Sequence, residues 1–280
     1  TKFRRNRRIL KDQVPQFPQT SSLNRVMSKV KAAILCLLLG PFYLLARHKL
    51  KLVQERFGGR LRLAVSGGGS LADFLEDWID AVGIRIVNAY GMTECSPAIA
   101  GRGLDCQTYG TLGRAVIHTD LRIVSEDGTE LPAGEEGLIE VRGPQVTSGY
   151  DNNEVETRQS FTEDGYLKTG DLGKLTVNNE LVITGRAKDI IVLASGENVD
   201  PTRIESTITM FPFIEDAILV GQDRKGLAAL LVPNHEEFKG WAENTFSNLR
   251  KETEELLTDN RILDKIRNEI NLLLKPKRGF

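Results

Sequence analysis

"LRLAVSGGGSLADFLEDWIDAVGIRIVNAYGMTE", residues 61–94, is the stretch on which the fold class turns. Residues 61–66 are a short apolar run closed by glycine and read as a buried strand. Residues 70–83 space their apolar side chains as an amphipathic helix does, with Ser70 as the expected N-cap and Gly83 as the stop. Residues 84–90 return to a strand. Strand, glycine turn, helix, strand is a βαβ unit, and its parallel strands leave both following loops at one edge of a sheet. Open α/β sheets bind ligands at that edge.

Outward from this unit the texture changes. Beyond Gly113, short strands alternate with turns, as in "DLRIV" (120–124) and "LIEVRG" (138–143), which predicts a small β subdomain. A further strand, "ELVITG" (180–185), leads to "RAKD", and a new α+β pattern starts there. It comprises a hairpin over 190–199, a helix over 200–211 with Pro201 in its first turn, and two strands, "IEDAILVG" and "LAALLVP". Helices rich in Glu, Lys and Leu follow from about His235. The domain boundary falls near Gly185 to Lys188.

The chain has 280 residues, 40% hydrophobic and 27% charged, with a net charge of -1. That suits a soluble globular protein of about two domains. It argues against a surface built to coat nucleic acid. Cys36, Cys95 and Cys106 have no metal-ligand spacing and leave an odd thiol, the pattern of a reducing compartment, so a cytoplasmic location is expected. The start is basic, with Lys2, Arg4, Arg5, Arg7, Arg8 and Lys11. An apolar run from Ala32 to Ala46 follows. It is shorter than the roughly 20 residues a bilayer requires, and Gly40-Pro41 interrupts it. A buried or interfacial helix pair is expected, with peripheral contact at the inner face of a membrane as the alternative.

Four stretches carry chemistry. In "SGGGS" (66–70), Gly67, Gly68 and Gly69 permit a flat ligand to approach the backbone ahead of a helix N-terminus, although a plain turn uses the same residues. In "YGMTE" (90–94), Tyr90 is flat enough to lie on a base and Gly91 allows close approach. The Thr93 hydroxyl suits a phosphate oxygen, and Glu94 suits a divalent cation bridging phosphates. A polar strand-end turn is the competing reading. "YLKTGDLG" (166–173) places Asp171 in a glycine-bracketed turn, without a basic neighbour, where a carboxylate can accept from two vicinal ribose hydroxyls or merely cap its own turn. "TGRAKD" (184–189) offers Arg186 as a planar donor and Lys188 where the domains meet; a solvated basic linker reads the same way. Cys95 lacks a His partner and is taken as a packing residue. His48, His118 and His235 sit in no catalytic setting.

In order and spacing, "SGGGS", "YGMTE", "TGDLG" and "GRAKD...SGENVDPTRIE" resemble the adenylate-forming superfamily of acyl-CoA synthetases, amino-acid adenylation domains and luciferase-like ligases. The resemblance runs from about Lys51 to Pro233. The triple glycine, the apolar segment before it and the terminal "LLLKPKRGF" look most like the long-chain fatty acyl-CoA synthetase branch. It implies an α/β and α+β multidomain protein. Residues 1–116 would end a large α/β adenylation domain, 117–185 form the β subdomain, and 186–280 a mobile, truncated α+β C-terminal domain.

The resemblance also implies roles. Gly67, Gly68 and Gly69 would line the adenine and acyl pocket, Tyr90 stack on adenine beside Gly91, and Thr93 bind the adenylate phosphate. Glu94 would coordinate magnesium, Asp171 hold the ribose hydroxyls and Arg186 assist. Lys188 matches the family's hinge, and Gly196 the loop lining the pantetheine channel. The reaction implied uses ATP, Mg2+ and coenzyme A. A fatty carboxylate attacks the α-phosphate to give acyl-AMP and pyrophosphate, and a thiol then displaces AMP. Because the substrate is itself the nucleophile, the protein supplies positioning and charge stabilisation. Neighbouring readings are an acyl carrier protein as acceptor, a fatty acyl-AMP ligase, or a nucleotide-binding protein without catalysis.

Two family elements have no match. No phosphate-cradling loop ending in Lys occurs in residues 1–59, and Lys275 and Lys277 fit poorly as the near-terminal catalytic lysine. A piece of a longer enzyme is therefore expected, inactive alone and with unpaired strand edges.

Overall fold

The computed structural model describes residues 2–69, 71, 73–103, 108–246 and 253–274. Ser70, Cys106, Lys275 and Lys277 lie outside them. The chain divides into two compact units between Ala187 and Lys188.

The first unit opens with helix α1 (Lys2–Leu10) and helix α2 (Ser22–Arg56), then runs β1 (Leu63–Ser66), α3 (Asp73–Val82), β2 (Arg85–Gly91), a 3-10 turn (Thr93–Cys95), β3 (Ala98–Gly101) and β4 (Arg114–Ala115). β1 and β2 pair in parallel with Ser66 opposite Asn88, as the βαβ reading requires, and the four-stranded sheet has the order β1-β2-β3-β4. Gly83 ends α3 at φ +103, open to glycine at no steric cost. Among the described residues β1 pairs only with β2, so its other edge is free.

A second sheet, antiparallel throughout, has the order β5 (Asp120–Val124), β6 (Gly137–Arg142), β7 (Leu167–Leu175), β8 (Leu181–Arg186), with helix α4 (Glu154–Ser160) between β6 and β7. Period-two patterning aims Ile139 and Val141 of β6 inward, where they are fully buried. They join Ile123, Leu167 and Leu181 in one cluster with Tyr90, Cys95, Ile99 and Ala100 from the first sheet. The two sheets thus share a core, and the change near residue 116 is a change of sheet within one compact unit.

Burying charge demands partners. Arg8 of α1 is bound by Asp77 and by Asp80 (2.6 Å), and its guanidinium lies 3.5 Å from the Tyr109 ring centroid. Glu76 of α3 pairs with Arg102, both almost wholly buried.

The helix pair expected across residues 32–46 is one uninterrupted 35-residue helix with Pro41 inside it. Proline removes a single backbone hydrogen bond, and the good helix formers on either side carry the helix through. Ser21 caps its start by accepting from the Asn24 amide. One stripe packs on α1: Tyr43 stacks on Phe3 at 4.4 Å, and Lys29 pairs with Asp12 at 2.7 Å. The opposite stripe, with Val30, Ile34, Leu37, Leu38, Phe42 and Leu45, is exposed. By length and composition alone this helix could cross a membrane.

The second unit follows the sequence reading closely. β9 (Ile191–Val192) and β10 (Asn198–Val199) form the hairpin, with Gly196 at φ +81 in its turn. Asp200 caps α5 (Pro201–Ile208) by accepting from the Thr202 amide, and Pro201 occupies the first turn. β11 (Ile214–Val220) pairs antiparallel with β12 (Ala228–Pro233). Helices α6 (His235–Thr245), α7 (Thr253–Leu257) and α8 (Asn260–Leu274) complete a core in which Trp241 stacks on Phe213 at 4.3 Å.

Candidate functional site

Because β1 and β2 are parallel neighbours, the glycine loop after Ser66 and the loop after Tyr90 leave the same sheet edge. They are close: a Cβ placed on Gly67 would lie 3.4 Å from the Ala89 carbonyl oxygen. Gly91 has no room for one, since a Cβ there would collide with the Pro97 carbonyl, whose oxygen accepts from the Met92 amide at 2.9 Å. This folding of residues 92–97 back on β2 fixes the 3-10 turn that carries Thr93 and Glu94. Thr93 is exposed, Glu94 is half-buried and Cys95 is completely buried. Burial first, and then the neighbouring Glu94 charge, push the Cys95 thiol up to about 11, so it stays protonated and packs.

Asp171 is in the middle of the nine-residue strand β7, which corrects the reading of a glycine-bracketed turn. The flanking glycines serve the sheet: Gly170 takes φ +77, and a Cβ on Gly173 would press on the Val182 carbonyl and the Ile139 side chain. The register sets Asp171 opposite Arg186 of β8, and Arg186 Nε donates to Asp171 Oδ1 at 3.1 Å. Asp171 therefore has a basic partner, on the next strand, fifteen residues away in sequence. Tyr90 Oη donates to Asp171 Oδ2 at 2.5 Å.

Tyr90 is 9% exposed, packed in the shared core with its hydroxyl on Asp171. Burial, followed by the hydrogen bond to Asp171, holds its hydroxyl far above the usual phenol range, so it remains a donor. Each Asp171 oxygen thus has one protein partner and a second lone pair to offer, which is the capacity two adjacent hydroxyls need. Arg186, 69% exposed at its side chain, keeps most of its guanidinium accessible.

Glu94 has a partner the motif reading did not include. Tyr150 Oη donates to Glu94 Oε1 at 2.9 Å, and the Thr147 amide donates to the Glu94 carbonyl at 2.7 Å. Tyr150 and Glu94 are 56 residues apart, and no spacing rule joins a lone Tyr in "SGYDN" to a distant loop. Among the described residues no cluster of three or more His, Cys, Asp or Glu exists to cage a metal. One half-buried carboxylate fits a magnesium ion that arrives with phosphates and keeps most of its waters. His48, His118 and His235 are exposed.

The structure therefore brings Gly67 beside β2 and joins Tyr90, Asp171 and Arg186 by hydrogen bonds, with Thr93 and Glu94 on the adjoining turn. Lys188 and Gly196 belong to the second compact unit: Lys188 is its first residue, and Gly196 turns its hairpin.

Residues 9–151 match the family described as AMP-binding enzyme, and residues 188–278 match the AMP-binding enzyme C-terminal domain. The chain is 37% identical over 239 residues to "Probable acyl-activating enzyme 16, chloroplastic" of Arabidopsis thaliana, covering 80% of this chain and 33% of that protein. It is 37% identical over 243 residues to the Arabidopsis thaliana long-chain-fatty-acid–[acyl-carrier-protein] ligase AEE15, chloroplastic, covering 82% and 32%. To the long-chain-fatty-acid–CoA ligase FadD15 of Mycobacterium tuberculosis it is 35% identical over 234 residues, covering 81% and 37%. The chain spans about a third of the length of these curated relatives, at 33%, 32% and 37%. Among solved structures, the ATP-bound RpMatB-BxBclM chimera B1 is 29% identical with a TM-score of 0.60, over 79% of this chain and 40% of that one. O-succinylbenzoate coenzyme A synthetase from Bacillus subtilis, in complex with ATP and magnesium ion, is 29% identical with a TM-score of 0.55, over 68% and 41%.

Proposed function

The chain belongs to the AMP-binding enzymes, and from that premise we propose that its protein is an acid–thiol ligase that activates a long-chain fatty carboxylate with ATP and passes it to coenzyme A. The observation that carries the reading is the hydrogen-bonded meeting of Tyr90, Asp171 and Arg186 from three strands, with the Thr93–Glu94 turn following Tyr90 and the glycine loop following the parallel strand beside it. The preference for a long acyl chain draws its support from relatives named for long-chain fatty acids at 35–37% identity.

The substrate carboxylate oxygen attacks the α-phosphorus of ATP; a P–O bond forms and the bond to pyrophosphate breaks. The coenzyme A sulfur then attacks the acyl carbon, AMP leaves, and the thiol proton passes to solvent. Neither step needs a protein nucleophile, in keeping with a fully buried Cys95 and exposed histidines. Asp171 accepts from the ribose hydroxyls, held in place by Tyr90 and Arg186. Thr93 donates to the α-phosphate, and Gly67, Gly68, Gly69 and Gly91 admit the nucleotide to the backbone. Tyr90 stacks on the adenine with the 9% of its surface left exposed. Glu94 is the residue that would hold magnesium, which when bound offsets phosphate charge. Lys188 is the pivot for the second unit between half-reactions, and Gly196 lines the pantetheine path.

Acyl carrier protein is the alternative acceptor, favoured by the 37% identity to a ligase named for it. We also assign the exposed stripe of α2, with the exposed Arg25 and Lys31 before its uncharged stretch and Arg47, Lys49 and Lys51 after it, to peripheral contact with an anionic membrane from the cytoplasmic side.

Pyrophosphate release by the full-length protein, from acetate to long saturated acids and with coenzyme A or acyl carrier protein, tests the reading. Release that peaks with long acids is the expected result, and the acceptor that yields a thioester decides between the two. No release with any acid would leave the nucleotide-binding reading in its place.

A further inference from the structure

The segment between β6 and α4, residues 143–153, was assigned no part in catalysis by its sequence, yet its tip is tied down at four points. Asn153 caps α4 by accepting from the Glu156 amide at 3.1 Å. Thr157, on that helix, donates to the Asn153 carbonyl at 2.9 Å and accepts from the Tyr150 amide at 2.9 Å. Gly149, at φ +148, packs so tightly on Thr157 that a Cβ would clash with its side chain. The Thr147 amide donates to the Glu94 carbonyl. The Tyr150 ring therefore leaves a fixed backbone, and its hydroxyl ends on Glu94 Oε1. Among the described residues Glu94 Oε2 has no hydrogen-bond partner.

A glutamate has three side-chain torsions and samples many of them when half-exposed. A donor anchored elsewhere in the fold restricts that freedom, as the outer partners of metal ligands do. We propose that Tyr150 is a positioning residue for Glu94: it occupies Oε1 and so presents Oε2, in one orientation, to the divalent cation carried by the nucleotide. This rests on the proposal that the site takes a magnesium nucleotide, and it adds a residue to it.

The test is Mn2+ binding, followed by the electron paramagnetic resonance of free Mn2+, on the full-length protein with ATP and no carboxylate substrate. Tyr150→Phe is expected to weaken Mn2+ binding about tenfold, the lower end of the usual effect of removing such a partner. ATP affinity measured without metal stays unchanged. In a Glu94→Gln background Tyr150→Phe has no further effect, a result that general loosening of the loop would not give. Equal Mn2+ affinity for wild type and Tyr150→Phe overturns the proposal, as does a full tenfold loss in the Glu94→Gln background. If Tyr150→Phe fails to fold, Thr157→Ala decides instead. It keeps the phenol but frees its anchor, severalfold weaker Mn2+ binding is expected, and no change overturns the proposal. A wild type that binds no Mn2+ with ATP removes the nucleotide reading itself, and this inference with it.

Discussion

Asp171 and Leu37 stand on opposite sides of the usual sorting of side chains. The carboxylate is 8% exposed inside a sheet, whereas the leucine is 81% exposed on α2. Each inverts the rule that polar groups stay wet and large apolar groups stay dry. The two inversions are sustained differently. Asp171 is buried because Tyr90 and Arg186 replace the water it gave up. Nothing in the described residues replaces the burial that Leu37 lacks, and covering such a side chain would contribute about 1.5–3 kcal/mol. Inside, an inversion fixes geometry; outside, it leaves free energy available for contact.

The sharpest way to break this comparison is to remove one member of the buried pair Arg102–Glu76. Arg102→Ala leaves Glu76 in a dry setting, and a stability loss of about 3–5 kcal/mol is expected in urea unfolding. A loss below about 1 kcal/mol would mean that the interior polar groups are not held by their partners. Next in size, Asp171→Asn keeps the shape but loses the charge. Nucleotide affinity, measured by titration calorimetry, should fall 10- to 100-fold, or about 1.4–2.8 kcal/mol.

A smaller effect is expected from alkali. Burial, and then the neighbouring Asp80 charge, push the Tyr109 hydroxyl up to about 12, above its unfolded value near 10. The folded state therefore binds this proton more tightly. Its contribution, about 1–2 kcal/mol, is complete below pH ~10 and is lost as pH rises through 12. Tyr109→Phe should flatten stability across that window.

The smallest change in stability belongs to α2. Leu37→Ser with Leu45→Ser should alter the unfolding free energy by no more than about 0.5 kcal/mol. It should nevertheless cut binding to vesicles containing anionic lipid severalfold by sedimentation. Unchanged vesicle binding would separate the exposed stripe from any membrane role.

The same contrast explains what could be read from the residues beforehand. The βαβ unit and the C-terminal hairpin, helix and strand pair were legible because their patterns are local. Capping by Asp200 and termination by Gly83 are properties of a few adjacent residues. Asp171 was legible as a carboxylate of interest but not as a strand residue. "TGDLG" has the composition of a turn, and only the neighbouring strands show that Gly173 serves a close approach. Its partner Arg186 emerges from strand register, and Tyr150 from a loop meeting 56 residues away; neither leaves a mark in local sequence. The helix runs on through Pro41 against the local rule for proline, because the packing of α2 on α1 is not written in the residues around the proline.

One feature of the first sheet bears on how the protein behaves in the test tube. β1 is a four-residue strand, "LAVS", without charge or proline; among the described residues nothing pairs with its outer edge, and Val65 is 71% exposed. Such an edge is a template for a strand from a second chain, so at high concentration copies should add to one another there and precipitate. Val65→Lys would act as a gatekeeper, raising the soluble yield while leaving the glycine loop untouched.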